Sequence, residues 1–381
     1  MQGKFLFRTL RQHIISARQV RKQHTPFLFL ILILATTVVG QAPPITFTEF
    51  QAPDAGTAVG EGTLALSINS TGAVSGFYYD TVGVGHGFVR SNSGAISEFD
   101  APGAGTGATQ GTFGGQINTS GNIAGNYTDS NGVHHGYVRT AVGAITPFDV
   151  AGAGTASGQG TQCCGLNTGG VASGYFIDST NVRHAYIRSA TGSITTYDVS
   201  GAGTGNGQGT EGLTINDSGT VTGIYIDSNS AYHGYVRTSD GTITTFDVAG
   251  GGTGPGQGTT PLGINKTGVI AGTYFDSNGL SHGFVRSATG TITTFNVSGA
   301  VLTAGNAIDD SGFICGYYAD VKANLHGFVR FPTGSITTFS APNSGTKPGT
   351  GTLAFTVNNT PRVVGYYLSS GATYGAYIVG K

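Results

Sequence analysis

The chain has 381 residues, of which 10% are charged and 66 are glycine, with a formal net charge of −1. Glycine at this level marks either a low-complexity coil or a β-protein dense in turns, and the regular return of Tyr, Phe, Ile and Val selects the second. Three cysteines (Cys163, Cys164 and Cys315) are too few for a disulfide framework, so stability has to come from packing.

Residues 1–26 carry six basic side chains and no acid, and the apolar run FLFLILILATTVV follows at 27–39. A basic leader, a 13-residue apolar core and the small residues of VVGQA form a secretory signal peptide over 1–40, with cleavage near Gly40 or Ala42. A membrane span needs about 20 apolar residues, so an uncleaved anchor is the weaker alternative. Without the leader, 12 basic side chains face 19 acidic ones, a formal charge of about −7. No basic patch is left to track phosphates, which argues against nucleic acid as a partner. The expected product is a monomer without a membrane span, secreted, periplasmic or at the cell surface.

From residue 41 to 381 the chain reads as one domain of internal repeats. The segment HGFVR at 86–90 returns at 135, 184, 233, 282 and 326, with spacings of 49, 49, 49, 49 and 44, and a degraded seventh copy, GAYIV, begins at Gly375. Each copy divides into four short strands. In the fifth these are Leu262–Asn265, ending in an Asn-x-x-Gly turn, then 269–275, 282–286 and the Thr-rich 291–297. Four strands in about 49 residues match one blade of a propeller. The expected architecture is all-β: a seven-bladed β-propeller with blades near 64–101, 113–150, 162–199, 211–248, 260–297, 304–341 and 353–379. The chain opens with a fourth-type strand, ITFTEF at 45–50, and closes on a third-type strand, so the first is expected to complete the last blade and close the ring.

Five features are shared with bacterial extracellular repeats of the HAF type: the Gly-Ile-Asn turn, the Gly-x-Tyr strand, His-Gly-Phe-Val-Arg, Ile-Thr-Thr-Phe-Asp and the single His184-Ala185-Tyr186. Residues 45–379 resemble that family. The resemblance implies an exported β-repeat protein and no assigned activity.

The most chemical-looking motif is repeated too often to be a single active site. Asp precedes His by six residues in Asp80/His86, Asp129/His135, Asp178/His184, Asp227/His233, Asp276/His282 and Asp320/His326, and Arg follows each His by four. Flanking a hairpin, each Asp and His are expected to hydrogen-bond to one another across it and fix its loop. The ring of histidines is too wide to share one metal ion. Calcium held by a single Asp-Ser-Asn-Gly loop is a weaker alternative, since each loop brings one carboxylate. The glycine loops, such as GAGTGNGQGT at 201–210, lead into strands and lack the lysine of a phosphate loop, so they read as crossovers braced by Gln110, Gln159, Gln208 and Gln257. No cofactor, metal or catalytic residue is expected.

Function is sought where the copies differ. The residue before each motif His varies, and on the long-loop face this places His134, Arg183, Tyr232 and Tyr374 as candidate ligand contacts. The inner strands offer small, uncharged side chains to the channel, such as Ser67, Gln116 and Gly165. The expected function is an exported non-enzymatic scaffold binding a glycan, a cell-envelope component or a protein. The alternative is an exported lyase or glycoside hydrolase drawing on Glu211, Asp217, Asp240, Asp310 or His134.

Overall fold

The structure, a computed structural model, describes residues 46–380. The signal peptide expected over 1–40 lies outside the described residues. Among those residues there are 28 strands and no helix.

In the first repeat the strands are Gly62–Ile68, Val74–Tyr79, Gly85–Arg90 and Ile96–Phe99, each antiparallel to the next. The last repeat has only Gly351–Val357, Val363–Leu368 and Tyr374–Gly380. Its fourth strand comes from the other end of the chain: Thr46–Phe50 pairs antiparallel with it, Thr46 opposite Gly380 and Phe50 opposite Ala376. A ring of four-stranded meanders closed by its own first strand is the architecture of a β-propeller, which hides all but short sheet edges.

Observed and expected strands differ mainly at the inner edge. In the fifth repeat the first strand is Gly258–Ile264, beginning four residues before Leu262. Its opening Gly-Thr pair has no apolar signal. It is held by contacts from other repeats instead. Gly258 forms a parallel bridge to Tyr232 of the preceding repeat. It takes φ of 104°, and a Cβ there would lie 2.1 Å from the Tyr232 carbonyl oxygen, so only glycine fits. The neighbouring Thr259 hydroxyl, fully buried, accepts the Val248 N–H at 2.9 Å. Equivalent threonines do this at every junction, including Thr63 to Ala52 just beyond the N-terminal strand. The fourth strand, Ile292–Phe295, is shorter than expected.

Two further contacts join repeat to repeat. In every repeat but the sixth, where Asp309 stands, the turn asparagine after the first strand uses Oδ1 to accept N–H groups of its own turn, and its Nδ2 donates to the backbone of the next repeat. Asn69 reaches the Asn118 carbonyl at 2.9 Å, Asn118 reaches that of Asn167 at 3.0 Å, and Asn358 closes the circle on the Asn69 carbonyl at 2.9 Å. Farther out, each motif arginine lies over the fourth-strand aromatic of the preceding repeat. The Arg286 guanidinium is 4.8 Å from the centre of Phe246, and Arg90 is 4.9 Å from Phe50 of the closing strand.

Packing within a repeat depends on a glycine under an aromatic ring. The third-strand aromatics, among them Tyr137, Phe284 and Phe328, are fully buried and each lies over the glycine of the second strand. At Gly272 an added Cβ would sit 2.4 Å from the Thr260 carbonyl oxygen and 2.7 Å from the Phe284 ring. Gly272→Ala is therefore expected to force the two strands apart and cost about 1–3 kcal/mol, measured as a lower midpoint in denaturant unfolding.

Candidate functional site

The repeated Asp-His-Arg set does three separate jobs. Asp276 Oδ1 accepts the N–H groups of Asn278 and Leu280, which folds the hairpin loop without help from the histidine. The expected contact of Asp with His across the hairpin is present in all six copies, but it is the longer of each histidine's two polar contacts. The motif aspartates approach His Nε2 only at long range: Asp80 to His86 at 3.4 Å, Asp129 to His135 and Asp178 to His184 at 3.6 Å, and Asp227 to His233, Asp276 to His282 and Asp320 to His326 at 3.5 Å.

Nδ1 makes the shorter contact, to a residue fourteen positions later, just beyond the fourth strand. His86 meets Asp100 at 3.0 Å, His135 meets Asp149 at 3.0 Å, His184 meets Asp198 at 2.8 Å and His233 meets Asp247 at 3.0 Å. His282 meets Asn296 Oδ1 at 3.0 Å, and His326 meets Ser340 Oγ at 2.8 Å. The reason is register. The fourth strand runs antiparallel beside the third, so the residue that follows it arrives next to the imidazole, whereas the motif Asp has already turned Oδ1 into its own loop. Each ring also stacks on the second-strand aromatic opposite it, as His86 does on Tyr78 at 5.1 Å, His233 on Tyr225 at 4.6 Å and His326 on Tyr318 at 5.0 Å. The histidine thus ties the second, third and fourth strands of one repeat, while the arginine reaches the repeat before it.

Burial raises the Asp276 pKa, but the N–H groups of Leu280 and Asn278 and the contact with His282 outweigh it, so its carboxyl stays below the usual range. Both its oxygens already face N–H donors or the imidazole. Among the described residues no group of three His, Cys, Asp or Glu side chains is placed to hold a metal ion.

The four candidate ligand residues stand within strands and not on the long loops. His134, Arg183, Tyr232 and Tyr374 are the first residues of third strands. Side chains alternate along a strand, so a motif histidine facing outward turns its predecessor inward. His134 is buried with Nδ1 3.0 Å from Thr128 Oγ1, Tyr374 is buried edge-on to Tyr366, and Tyr232 is half-buried. Arg183 places Nη1 2.8 Å from Glu211 Oε1 of the next repeat.

That ion pair corrects a further expectation, of an uncharged channel. Each first strand slips register by a bulge, as between Cys163 and Gly165 or Gly212 and Thr214. The extra residue breaks strict alternation along the strand. The channel holds a cavity of about 240 Å³. Ser67, Gln116, Asn306 and Glu211 line it alongside Tyr175 and Phe355. Glu211 is 2% exposed, and burial raises its pKa against the opposing pull of Arg183.

Around this layer the repeats diverge. The position of Glu211 holds Leu64, Phe113, Gln162, Thr260, Ala304 and Leu353 in the other repeats. One side is an apolar and aromatic cluster of Leu64, Phe77, Tyr317, Leu353 and Tyr366. The other side carries buried polar groups: Gln162, Thr260 and Ser281 find no hydrogen-bond partner for their side chains among the described residues.

The remaining acidic candidates are not gathered with Glu211. Asp217 and Asp310 line a second cavity of about 220 Å³ at the Asn-turn end of the channel. Asp240 lies in an exposed turn with Thr238 and Thr242. The three cysteines are buried unpaired thiols. The crossover glutamines brace their loops: Gln208 Oε1 accepts the Gly205 N–H at 2.8 Å, and its Nε2 donates to the Ser228 carbonyl at 3.0 Å.

No protein-family model matches this sequence, and no curated protein matches it. Solved structures do match. The BP39L lectin from Burkholderia pseudomallei superposes with a TM-score of 0.56 at 10% identity, covering 82% of this chain and 95% of the lectin. Puromycin hydrolase superposes with a TM-score of 0.50 at 14% identity over 84% of this chain, which spans 50% of the hydrolase. At these identities the likeness is one of fold.

Arg183 faces a carboxylate that is almost wholly buried. Arg183→Met is expected to cost about 3 kcal/mol, because it leaves Glu211 buried and unpaired. An acid whose folded pKa is raised regains stability as the pH falls through that pKa. The loss should therefore shrink at acid pH, which denaturant melts at about pH 5 and about pH 8 would show.

Proposed function

We propose that this chain is an exported seven-bladed β-propeller, monomeric and of the HAF-repeat type, that binds a glycan in its channel cavity without carrying out chemistry on it. The carrying observation is that the inner wall abandons the repeat's symmetry where the cavity lies. Elsewhere the repeats reuse the same fasteners. At the cavity, hydrogen-bonding groups on Ser67, Gln116, Asn306 and Glu211 share the lining with Phe355, Leu66 and Leu213. Sugars carry hydroxyls at their edges and C–H groups on their faces, and a wall mixing polar and apolar surface meets both. Ligand sites commonly span about 300–1,000 Å³, so this cavity suits one sugar ring or the end of a chain. The fold likeness to a lectin supports the same reading. Support for seven blades comes from 28 strands in sets of four, and support for export from the leader in the sequence.

A second reading, an exported lyase or glycoside hydrolase, draws on Glu211, whose raised pKa in a cavity is what a catalytic acid needs. It lacks the partner such chemistry uses: glycoside hydrolysis takes two carboxyl groups about 5–9.5 Å apart, and Glu211 is the one acid among the residues lining this cavity.

A glycan array probed with the full chain, followed by calorimetric titration of the retained sugar, tests the binding reading. Gln116→Leu and Phe355→Ala are each expected to weaken binding by about tenfold, the loss of one contact worth about 1–1.5 kcal/mol, with the sugar recovered unchanged. Failure to retain any glycan, or binding indifferent to both substitutions, would refute it. Release of shortened or unsaturated sugar would favour the second reading.

A further inference from the structure

The ring of turn asparagines has one irregular member. In the sixth repeat the asparagine is replaced by Asp309, 4% exposed and in the lining of the cavity at the Asn-turn end of the channel. The fifth repeat still reaches it, since Asn265 Nδ2 donates to the Asp309 carbonyl at 3.2 Å. Asp309 Oδ1 does what every turn asparagine Oδ1 does, accepting the N–H groups of Ser311 and Phe313 at 2.9 Å each. Its Oδ2 therefore occupies the place of the amide nitrogen that, in the other repeats, donates to the next carbonyl.

Here the next turn residue is Asn358, whose own Nδ2 continues the ring to Asn69. Asp309 Oδ2 is buried and finds no hydrogen-bond partner among the described residues. An ionised oxygen in that place would set a negative charge against a carbonyl oxygen, two acceptors with no hydrogen between them. We propose that Asp309 is a neutral carboxylic acid in the folded protein, and that the proton on its Oδ2 is donated to the Asn358 carbonyl oxygen, completing the ring of turns around the channel.

The surroundings agree. Burial raises the Asp309 pKa, the charge of Asp310 adds to it, and the N–H groups of Phe313 and Ser311 oppose it. The titratable and charged groups on the packed elements are Asp310 in the same turn, Lys266 from the fifth repeat's turn, Arg362 from the seventh's, and Cys315 on the adjoining strand. Lys266 is directed to Asp310, its Nζ 3.6 Å from Oδ2, and does not serve Asp309. An acid bound more tightly to its proton in the folded state gives stability that is complete below the unfolded pKa, about 3.9, and is lost as the pH rises through the folded value. One link of the ring opens in that window.

Thermal melts of the full chain and of Asp309→Asn, from about pH 4 to about pH 9, test this. Asparagine is what the other repeats use, and its amide supplies the donor at every pH. The variant is expected to melt above the wild type by roughly 2 °C, the scale of one regained hydrogen bond, at the alkaline end, with the gap closing toward pH 4. In isotope-edited infrared spectra a protonated-carboxyl band should be present in the wild type and absent from the variant. A variant that melts no higher than the wild type at alkaline pH, or spectra without that band, would overturn the proposal. So would selective stabilisation of the wild type by added calcium chloride or sodium chloride, since a cation and not a proton would then bridge the two oxygens.

Discussion

The structure depends on one constraint: each four-stranded repeat leaves faces that only its neighbours can cover. Strands of four to seven residues bury little by themselves, so the strongest recurring contacts cross from one repeat to the next. A threonine hydroxyl holds the chain as it leaves the previous fourth strand. An asparagine amide ties neighbouring turns beside the channel, and an arginine covers the preceding aromatic farther out. A set of neighbour contacts is complete only if the two ends meet, and the strand Thr46–Phe50 makes them meet. The seventh repeat has neither motif histidine nor motif arginine, and there Phe47 of the closing strand packs against Phe339 and Tyr377 at 6.0 Å.

Repetition also decides where function has room. Residues that serve as fasteners cannot change without loosening a junction, so Asp, His and Arg recur for structural reasons despite their chemical appearance. The inner wall is different. Its side chains meet near the axis, where each repeat contributes to a shared space and the ties between repeats are individual ones, such as Ser67 to Gln116 and Arg183 to Glu211. Leu64 and Leu353 pack into an apolar cluster on one side, while Glu211 and Gln162 stand on the other. A ring with equivalent walls would hold no oriented ligand, and the divergence gives this one a polar side and an aromatic side.

Much of the fold could be read from particular residues. The Asn-x-x-Gly turns, the spacing of HGFVR and the fourth-type strand at the start of the chain gave the strand types and the closure at Phe50. That Asp276 and His282 are fasteners followed from their recurrence, but not which residue each one holds. The tie from His86 to Asp100, repeated at His135, His233 and His326 with their own partners, could have been found from the polar residue that follows each fourth strand. That signal is as regular as the histidine. The early start of the inner strands was hidden because Gly258 and Thr259 are held by contacts from the preceding repeat and not by an apolar pattern. The candidate site was less legible: His134, Arg183, Tyr232 and Tyr374 varied as contact residues would, but strand alternation turns them inward.

The sequence by itself determined the repeat, its four strands, its turns and the joining of its ends, because these rest on local periodicity and on glycine and asparagine at regular spacing. Only the tertiary structure decided which side chains face the channel. A single bulge in each inner strand breaks strict alternation, and the packing of each repeat on the next brings residues 49 apart in the chain into contact. That packing sets Glu211 of one repeat against Arg183 of the repeat before it and ties the turn of Asp309 to Asn265.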